Sequence, residues 1–321
     1  MKKVGIALLV IILIALLVVA GVLIYSNSKL DKIEYVEVPV EEIEIPEEVK
    51  ENEEISSVRN IVLLGKDTYE NNYQYGRSDC IIIASINEKE KEVKLASVYR
   101  DTYLEIPNHG LDKVNHAYAY GGPALTMSTL NNNLDLDITE FVTVNFSATK
   151  DIVNAVDGVT ITVTNAEAGS IPGISSAGTY KLNGDQALAY ARIRKIDTDY
   201  KRTERMRTVL SAVFEKAKKM SPTELMKLVD ILLPEISTNI SKDEIVSLVP
   251  QITQYKVNDS IGWPYNTRGI TLNGVWYGPP ITLKSNVIQL HKELFGEEEY
   301  EPSAKVNEIS QKIVNRTGYS N

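Results

Sequence analysis

The sequence predicts an α/β fold, an α–β–α sandwich with a central mixed sheet, preceded by one N-terminal transmembrane helix. Three observations lead to this fold class. Residues 4–25 form a run of 22 residues without a charge. Beyond it, apolar segments of strand length alternate with segments of helical periodicity. Of the 321 residues, 43% are hydrophobic and 24% are charged, which is ordinary for a globular protein.

The uncharged run predicts a membrane anchor. As a helix it would be about 33 Å long, enough to cross a hydrocarbon core of about 30 Å. A cleavable signal peptide is the alternative, but its apolar region is usually only about 7–15 residues long. Lys2 and Lys3 precede the run and acidic residues follow it, so the positive-inside rule places the N-terminus in the cytoplasm. We expect residues 1–27 to form a cytoplasmic tip and signal anchor.

The next segment is strongly acidic. Between Asp31 and Glu54 there are eleven acids and two lysines, although the whole chain has a net charge of −9. Such a segment predicts an extended, self-repelling linker over residues 28–57. Residues 58–321 then form one extracytoplasmic domain. The single cysteine excludes an intramolecular disulfide, and the three histidines show no zinc-ligand spacing.

The pattern of this domain is mixed α and β. Apolar or alternating runs predict strands at 60–65, 80–86, 91–99, 141–146 and 159–163, the second and third joined as a hairpin. Helical periodicity predicts a helix that begins at Pro123, a helix over 185–192 with Asn183 as its cap, and others at 147–158, 198–220, 222–232, 241–248 and 284–294. A further hairpin is predicted at 270–277.

A dense basic patch interrupts this pattern. Residues 192–207 contain five arginines and two lysines. Arg192 and Arg194 share a face only if the chain is extended there, whereas Arg202 and Arg205 lie one turn apart near the start of a predicted helix. Arginine forks suit phosphate, so a compact phosphate or pyrophosphate is the expected ligand. The alternative is a solvated helix face. Nucleic acid is not expected, because the domain lacks a broad basic surface.

Two aspartates define a second candidate site. Asp67 follows one predicted strand and Asp79 immediately precedes the next, so the connecting loop returns both carboxylates to one end of the sheet, with Arg77 beside them. Mg²⁺ prefers one or two carboxylates together with waters and phosphates. The alternative roles are a turn residue and a strand cap. Arg100 and Asp101 follow another strand, and by themselves they indicate only a structural ion pair.

Several motifs follow one another along the chain: NIVLLGKD, GRSDCIIIASIN, SVYRDTYLEIP, DKVNHAYAYGG, LNGDQALAYARIRK and YKRTERMRTVL. In this order they resemble the LytR-CpsA-Psr family of Gram-positive cell-envelope enzymes. The similarity runs from about residue 60 to residue 214, with a weaker part beyond it. The resemblance implies an α–β–α fold and a protein of the cell membrane in a Gram-positive type of envelope.

The resemblance also implies an activity. A teichoic acid, capsular polysaccharide or similar polymer would move from polyprenyl pyrophosphate to the 6-hydroxyl of N-acetylmuramic acid in peptidoglycan. Asp67 and Asp79 would be the carboxylates around Mg²⁺, and Asp67, Asp79 or Asp101 would accept the proton of the acceptor. The arginines that the resemblance places around the pyrophosphate are Arg77, Arg100, Arg192, Arg194, Arg202 and Arg205.

Two positions depart from the family pattern. Met206 stands where a glutamine is usual, and Tyr99 stands where a proline usually precedes the Arg-Asp pair. Neither change removes a charge from the site. Two other functions use the same residues: a polyprenyl-pyrophosphate phosphatase with water as the acceptor, and a non-catalytic protein that binds the lipid carrier or regulates the envelope.

Overall fold

The structure is a computed structural model that describes residues 31–66, 76–145, 149–193, 205, 208–209, 212–213, 215–216, 219–248, 255–257 and 261–320. The predicted transmembrane segment, residues 4–25, lies outside these residues. Among the described residues, no helix has both the length and the apolar character needed to cross a bilayer.

The strands are short to medium in length, and the longest lie in the first third of the chain. They are β1 Glu34–Tyr35, β2 Arg59–Lys66, β3 Ser78–Asn87, β4 Glu92–Val98, β5 Tyr103–Ile106, β6 Gly110–Lys113, β7 Glu140–Asn145, β8 Val159–Val163, β9 Gly178–Leu182, β10 Ile236–Thr238, β11 Lys256–Val257, β12 Ile261–Trp263, β13 Ile270–Leu272 and β14 Val275–Tyr277.

The α-helices follow most of the predicted positions. They are α1 Glu47–Lys50, α2 Glu53–Ser56, α3 His116–Leu134, α4 Thr149–Ala155, α5 Asn165–Ala168, α6 Gly184–Ala191, α7 Pro222–Leu232, α8 Lys242–Leu248, α9 Leu283–Phe295 and α10 Ala304–Thr317. Within the predicted helix 198–220, the described residues from 205 to 216 are helical.

The chain divides into two compact units. The described residues of the first unit lie within Met1–Glu34, Asn145–Ser237 and Ser241–Gln254. Those of the second unit lie within Tyr35–Val144, Thr238–Ile240 and Tyr255–Asn321. The sequence predicts a single extracytoplasmic domain over residues 58–321, and this stays a prediction. The chain passes between the units several times, and periodicity along a sequence carries no signal for such a division.

The main sheet is mixed, as predicted. Its strands lie in the order β1-β10-β7-β2-β3-β4-β11, and β12 also pairs with β4. β2, β3 and β4 run antiparallel to one another, whereas β11 and β12 run parallel to β4. The predicted hairpin at 270–277 is the antiparallel pair β13–β14, whose turn residues Asn273 and Gly274 both have positive φ.

The core of the second unit packs α3, α9 and α10 with the main sheet. Tyr118 and Trp263 are fully buried in it, and the Trp263 indole N–H donates a hydrogen bond to the Asn286 carbonyl (3.1 Å). Helix α3 is kinked at Gly121 and Gly122, so the helix predicted to begin at Pro123 is its second segment. The first segment, which begins at His116, was not predicted.

The acidic segment contains buried apolar residues, of which Ile43 belongs to this core. The sequence predicted an extended linker over residues 28–57, but Ile43, Val49 and Ile55 are buried and the segment contains α1 and α2. Asn52 caps α2 by accepting hydrogen bonds from the N–H groups of Glu54 and Ile55. The prediction of a linker is therefore wrong for this part. Apolar residues recur through the segment at irregular spacing, and three of them are buried although acids dominate the composition.

The first unit is built around the hairpin-like pair β8–β9 and helices α4, α6 and α7. Strand β8 has the bounds that the sequence predicts. Asn183 caps α6 as predicted, accepting a hydrogen bond from the Gln186 N–H (3.0 Å). The first residue of α6 is Gly184, where a Cβ atom would collide with the Lys150 carbonyl of α4. This glycine allows α4 and α6 to pack closely.

Candidate active site

The β2–β3 connection places Asp79 at one end of the main sheet. β2 ends at Lys66 and β3 begins at Ser78, and these two residues are partners in the register. A bulge between Gly65 and Lys66 disturbs the ladder at this point. The sequence predicted that Asp67 and Asp79 would lie at the same end of the sheet. Asp79 does lie at the end where β2 stops, and Asp67 lies outside the described residues.

Arg100 comes to Asp79 from the next strand. β3 and β4 are antiparallel, so the residues that follow β4 lie at the end where β3 begins. The Arg100 Nη1 donates a hydrogen bond to the Asp79 Oδ1 at 2.7 Å. The two side chains are 13% and 21% exposed, so the pair is shielded from bulk water but not enclosed.

Asp101 and Lys113 extend this pair into a chain of alternating charge. Lys113 Nζ lies 2.6 Å from Asp101 Oδ1, and Arg100 Nε lies 3.4 Å from Asp101 Oδ2. We call Asp79, Arg100, Asp101 and Lys113 the charge cluster. Asp101 contacts both cations, and this geometry fixes their positions relative to each other.

The backbone around Arg100 and Asp101 is firmly held. The Asp101 carbonyl accepts a hydrogen bond from the Gly278 N–H (2.9 Å), and the Arg100 carbonyl accepts one from the Asn115 N–H (3.2 Å). Thr102 closes a tight turn on the Tyr99 carbonyl with its backbone N–H and its hydroxyl. The motif DKVNHAYAYGG, through Asn115, and the residue that follows β14, Gly278, therefore support this turn.

Lys113 was missed as a site residue. It lies at the end of β6 and is the register partner of Tyr103 in β5, two residues beyond Asp101. The alternation of apolar and polar residues in this segment could have indicated two strands, but the pairing of β5 with β6 was not predicted. Lys66 was missed as well. It is 1% exposed at the end of β2, and its ammonium group lies 4.9 Å from the centroid of the Tyr118 ring.

Apart from Arg100, the predicted arginines fall into three groups. Arg77 is exposed in the second unit, immediately before β3. Arg194 and Arg202 lie outside the described residues, as does Met206. Arg192 and Arg205 belong to the first unit, where Arg192 caps the C-terminal end of α6.

Arg205 is engaged in a buried ion pair. Its side chain is 3% exposed, and its Nε donates to Glu167 Oε1 at 2.7 Å while Nη1 donates to the Ile193 carbonyl at 3.1 Å. The Glu167 Oε2 accepts hydrogen bonds from the N–H and the hydroxyl of Thr164. This geometry is typical of an internal structural pair, and it does not support the pyrophosphate-binding role predicted for Arg205.

Two tyrosines near the charge cluster keep their protons. The hydrogen bond to Asp112 raises the pKa of the Tyr120 hydroxyl, and the nearby Arg77 charge acts in the opposite direction. Burial raises the pKa of Tyr277, whose ring lies 4.7 Å from that of Tyr103 and 5.7 Å from Lys113 Nζ. Both hydroxyls are therefore hydrogen-bond donors near pH 7.

Tyr99 occupies the position where the family pattern has proline. Its backbone N–H donates to the Trp263 carbonyl (2.9 Å), a bond that proline could not make. Its ring lies against the backbone of Gly262, where a Cβ atom would overlap the tyrosine hydroxyl. The substitution thus fastens the residue before Arg100 to β12 of the main sheet.

Comparison with protein families identifies the family to which the chain belongs. The model of the LytR_cpsA_psr family matches residues 22–292. The chain belongs to this family. The resemblance inferred from the motifs is confirmed, and so is the mixed α/β architecture.

Named relatives extend this result. The chain is 37% identical over 227 residues to the polyisoprenyl-teichoic acid–peptidoglycan teichoic acid transferase TagT of Bacillus subtilis (strain 168), which covers 66% of this chain and 70% of that protein. It is 32% identical over 281 residues to the transferase TagU of Oceanobacillus iheyensis, covering 84% of this chain and 86% of that protein.

Solved structures of relatives show the same fold. TagT bound to LIIa-WTA is 31% identical with a TM-score of 0.53, and the match covers 84% of this chain and 94% of that one. The LytR-CPS2A-psr family protein YwtF (TagT) with bound octaprenyl pyrophosphate lipid is 29% identical with a TM-score of 0.50, covering 84% and 93%.

Proposed function

We propose that this protein is a phosphotransferase that moves an envelope glycopolymer, such as a teichoic acid, from polyprenyl pyrophosphate onto peptidoglycan. The observation that carries the proposal is the charge cluster, which the family motifs around Asp79 and Arg100 bring together at one end of the sheet. Relatives named as teichoic acid transferases, and the relative with bound octaprenyl pyrophosphate lipid, support it.

The geometry suits a pyrophosphate donor. Phosphoryl transfer needs alignment of acceptor and leaving group, and cations where negative charge develops. Arg100 presents a planar guanidinium and Lys113 a point charge, and Asp101 contacts both. An arriving phosphate would take hydrogen bonds from these cations while Asp101 keeps them in place. Arg77, and Arg192, Arg194 and Arg202 further along the chain, remain predicted pyrophosphate ligands.

The carboxylates suit Mg²⁺. In the part of the chain that the structure describes, no three His, Cys, Asp or Glu side chains are grouped so as to hold a metal ion. Mg²⁺ does not require such a group, because one or two carboxylates suffice when substrate phosphates and waters complete the shell. Asp79, which is partly exposed, and Asp67 would hold the ion. Bound there, it would neutralise charge on the phosphoryl oxygens.

The membrane location is part of the proposal. Residues 4–25 would anchor the chain with its N-terminus in the cytoplasm, so that both units lie on the outer side of the cell membrane. A polyprenyl donor is held in the same bilayer, and anchoring would keep enzyme and donor close together.

The test uses the full chain in detergent micelles with a short polyprenyl-pyrophosphate glycan and soluble peptidoglycan oligomers. Mass spectrometry would detect the glycan–phosphate–peptidoglycan product and the released polyprenyl phosphate, with and without Mg²⁺. We expect product that depends on Mg²⁺ and falls by about 10²–10³-fold in Asp79→Asn. Glu298→Gln, which changes an exposed carboxylate of the second unit, is the matched control and keeps full activity.

Other outcomes would contradict the proposal. Release of polyprenyl phosphate without ligated product would identify a phosphatase. Binding of the donor with neither product would identify a carrier-binding protein.

A further inference from the structure

A second polar cluster adjoins the charge cluster and has no role in the mechanism above. His116 Nδ1 lies 2.8 Å from Asp112 Oδ2, and the Tyr120 hydroxyl donates to the same oxygen at 2.7 Å. The His109 ring stacks on the Tyr120 ring with centroids 4.4 Å apart and planes at 14°. We call these four residues the Asp112 cluster. All of them belong to the second unit.

Local structure explains why these side chains meet. His116 and Tyr120 are four residues apart in the first segment of α3, so they lie on the same face of the helix. Asp112 lies in β6, which runs directly into that helix, and His109 lies in the turn between β5 and β6. Each contact therefore joins neighbouring parts of one short segment, residues 109–120.

The Asp112 carboxylate is ionised near neutral pH. Burial raises its pKa, but the hydrogen bonds from His116, from Tyr120 and from the Lys113 N–H outweigh burial and hold the pKa below its ordinary value. The charged and titratable groups that face His116 are thus Asp112 and Tyr120, with His109 stacked behind Tyr120. Lys113, Arg77 and Tyr277 lie around them. A carboxylate on Nδ1 leaves Nε2 as the ring atom that can accept a proton.

The backbone places this cluster beside the phosphate-binding cations. Lys113 follows Asp112 in the chain, and its ammonium group binds Asp101 at 2.6 Å. Asn115 precedes His116, and its N–H donates to the Arg100 carbonyl at 3.2 Å. A molecule bound at the Asp112 cluster would therefore lie next to a phosphate bound at Arg100 and Lys113. An attacking acceptor must occupy such a place.

The chemistry of the cluster fits a sugar. A pyranose has an apolar face of C–H groups and an edge of hydroxyls. The stacked His109–Tyr120 pair offers a flat ring surface, with Tyr120 46% exposed, and Asp112 and His116 offer hydrogen-bonding groups at its edge. We propose that the Asp112 cluster binds the acceptor sugar of peptidoglycan, and that His116 Nε2 takes the proton of its attacking hydroxyl. This inference rests on the proposed transferase function.

The step balances without a further reactant. The acceptor hydroxyl oxygen forms a bond to phosphorus, and its proton passes to His116 Nε2. The bond from phosphorus to the bridging oxygen breaks, and its electron pair leaves with polyprenyl phosphate. His116 then releases the proton to water. Asp112 holds the imidazole ring in position through Nδ1, whereas Tyr120 and His109 position Asp112 and the sugar.

Kinetics separate proton transfer from binding. His116→Gln keeps a polar side chain but cannot take the proton, so we expect kcat to fall by about 10²–10³-fold with little change in KM for the acceptor. We expect added imidazole to restore part of the activity of His116→Ala. A purely structural histidine would lower activity in both variants without rescue.

Binding is measured separately. An N-acetylglucosamine–N-acetylmuramic acid tetrasaccharide is titrated into the full chain in detergent, without donor, and followed by calorimetry. We expect Tyr120→Ala to weaken binding, and to raise KM, by about tenfold, because the variant lacks the ring surface on which the sugar would lie; tenfold corresponds to about 1.4 kcal/mol. Tyr35→Ala removes another exposed tyrosine of the second unit and is the matched control, with unchanged affinity.

The two proposals fail in different ways. If wild type forms no ligated product but binds the tetrasaccharide through Tyr120, the transferase function is wrong and the sugar site stands. If wild type forms product and His116→Gln keeps its kcat, the assignment of the proton acceptor is overturned. Equal affinities of wild type and Tyr120→Ala would overturn the sugar site.

Discussion

Each unit of the molecule contains an arginine–carboxylate pair, and the two pairs differ in their surroundings rather than in their distances. Arg100 and Asp79 approach to 2.7 Å in the second unit, and Arg205 and Glu167 approach to the same 2.7 Å in the first. Asp79 is 21% exposed and adjoins Asp101 and Lys113 in a chain of alternating charge. Arg205 is 3% exposed and also binds a backbone carbonyl.

The difference shows how a structural ion pair can be distinguished from a candidate active site. In the first-unit pair, Arg205 also donates to the Ile193 carbonyl and Glu167 also accepts from the Thr164 N–H. The pair therefore links these parts of the backbone. In the second unit Arg100 and Lys113 share the Asp101 carboxylate and remain partly exposed, so that an anionic substrate could bind them while Asp101 holds them in place. A short distance between charges is therefore weak evidence of function, and burial together with the identity of the other partners is the better guide.

The largest expected effect on activity comes from a substitution that alters the second-unit pair but keeps its charge. Arg100→Lys keeps the cation but loses the planar fork, so we expect transferase activity to fall by about 10²-fold or more while the unfolding midpoint changes little. Activity is followed by product formation and stability by thermal unfolding. Arg268→Lys, an exposed arginine on Tyr319 in the same unit, is the control. Equal activities of the two variants would show that Arg100 does not bind substrate.

Removing one partner of the first-unit pair should lower the stability of the fold, whereas the change at Arg100 should lower activity. Arg205→Met leaves the Glu167 carboxylate buried without its cation, which costs roughly 3–5 kcal/mol of unfolding free energy. The double variant Arg205→Met/Glu167→Leu removes both charges, and we expect it to recover much of this loss. Chemical denaturation measures both. A small loss of stability with a large loss of activity in Arg205→Met would instead restore Arg205 as a substrate ligand.

Acid should weaken the first-unit pair selectively. Burial raises the pKa of Glu167, but the hydrogen bonds from Arg205 and Thr164 hold it below its ordinary 4.5. A depressed pKa stabilises the fold above about pH 4.5, and this contribution is lost as pH falls through the folded-state pKa. The stability difference between wild type and Glu167→Gln should therefore shrink on acidification. Unfolding midpoints between pH 3 and pH 7 test this expectation.

Asp135 of the second unit provides a contrast in sign. Burial raises its pKa despite hydrogen bonds from Ser303 and Tyr300. Its contribution to stability is therefore greatest at low pH and is lost as pH rises through the raised pKa. The stability of Asp135→Asn relative to wild type should improve with rising pH, whereas that of Glu167→Gln should worsen. The same trend in both variants would show that a general acid effect, and not these two carboxyls, controls the profile.

The sequence could predict those site residues that lie next to the end of a predicted strand. Asp79 lies at the start of β3, and the loop between the two predicted strands was enough to place it at the end of the sheet where β2 stops. Arg100 follows β4, and spacing alone indicated a structural ion pair with Asp101 rather than the contact with Asp79 that the structure shows. Lys113 was not predicted, because its approach to Asp101 depends on the β5–β6 register, in which it is the partner of Tyr103. The family motifs supplied the chemistry that spacing left open, although they did not distinguish a buried arginine from an exposed one.

Long-range partners explain the remaining misses. Glu167 precedes Arg205 by 38 positions, in a segment adjoining a loop rich in glycine, serine and proline, and nothing local indicates that the two side chains meet. The acidic segment gave a similar false signal, because its buried Ile43, Val49 and Ile55 are outnumbered by glutamates. The composition predicted a solvated segment, whereas the structure buries these three apolar side chains, and Ile43 belongs to the second-unit core.

The smallest expected effect tests whether a short distance between two charged groups is enough to stabilise the fold. Lys181 and Asp157 of the first unit approach to 2.6 Å, as close as Lys113 and Asp101, but their side chains are 54% and 85% exposed. Water screens such a pair, and ordering two long side chains offsets the attraction. We expect Lys181→Met to leave the unfolding midpoint unchanged within error, and Lys113→Met to lower transferase activity strongly. A clear loss of stability in Lys181→Met would mean that exposed pairs support this fold, and the contrast between the two arginine pairs would then rest on their partners alone.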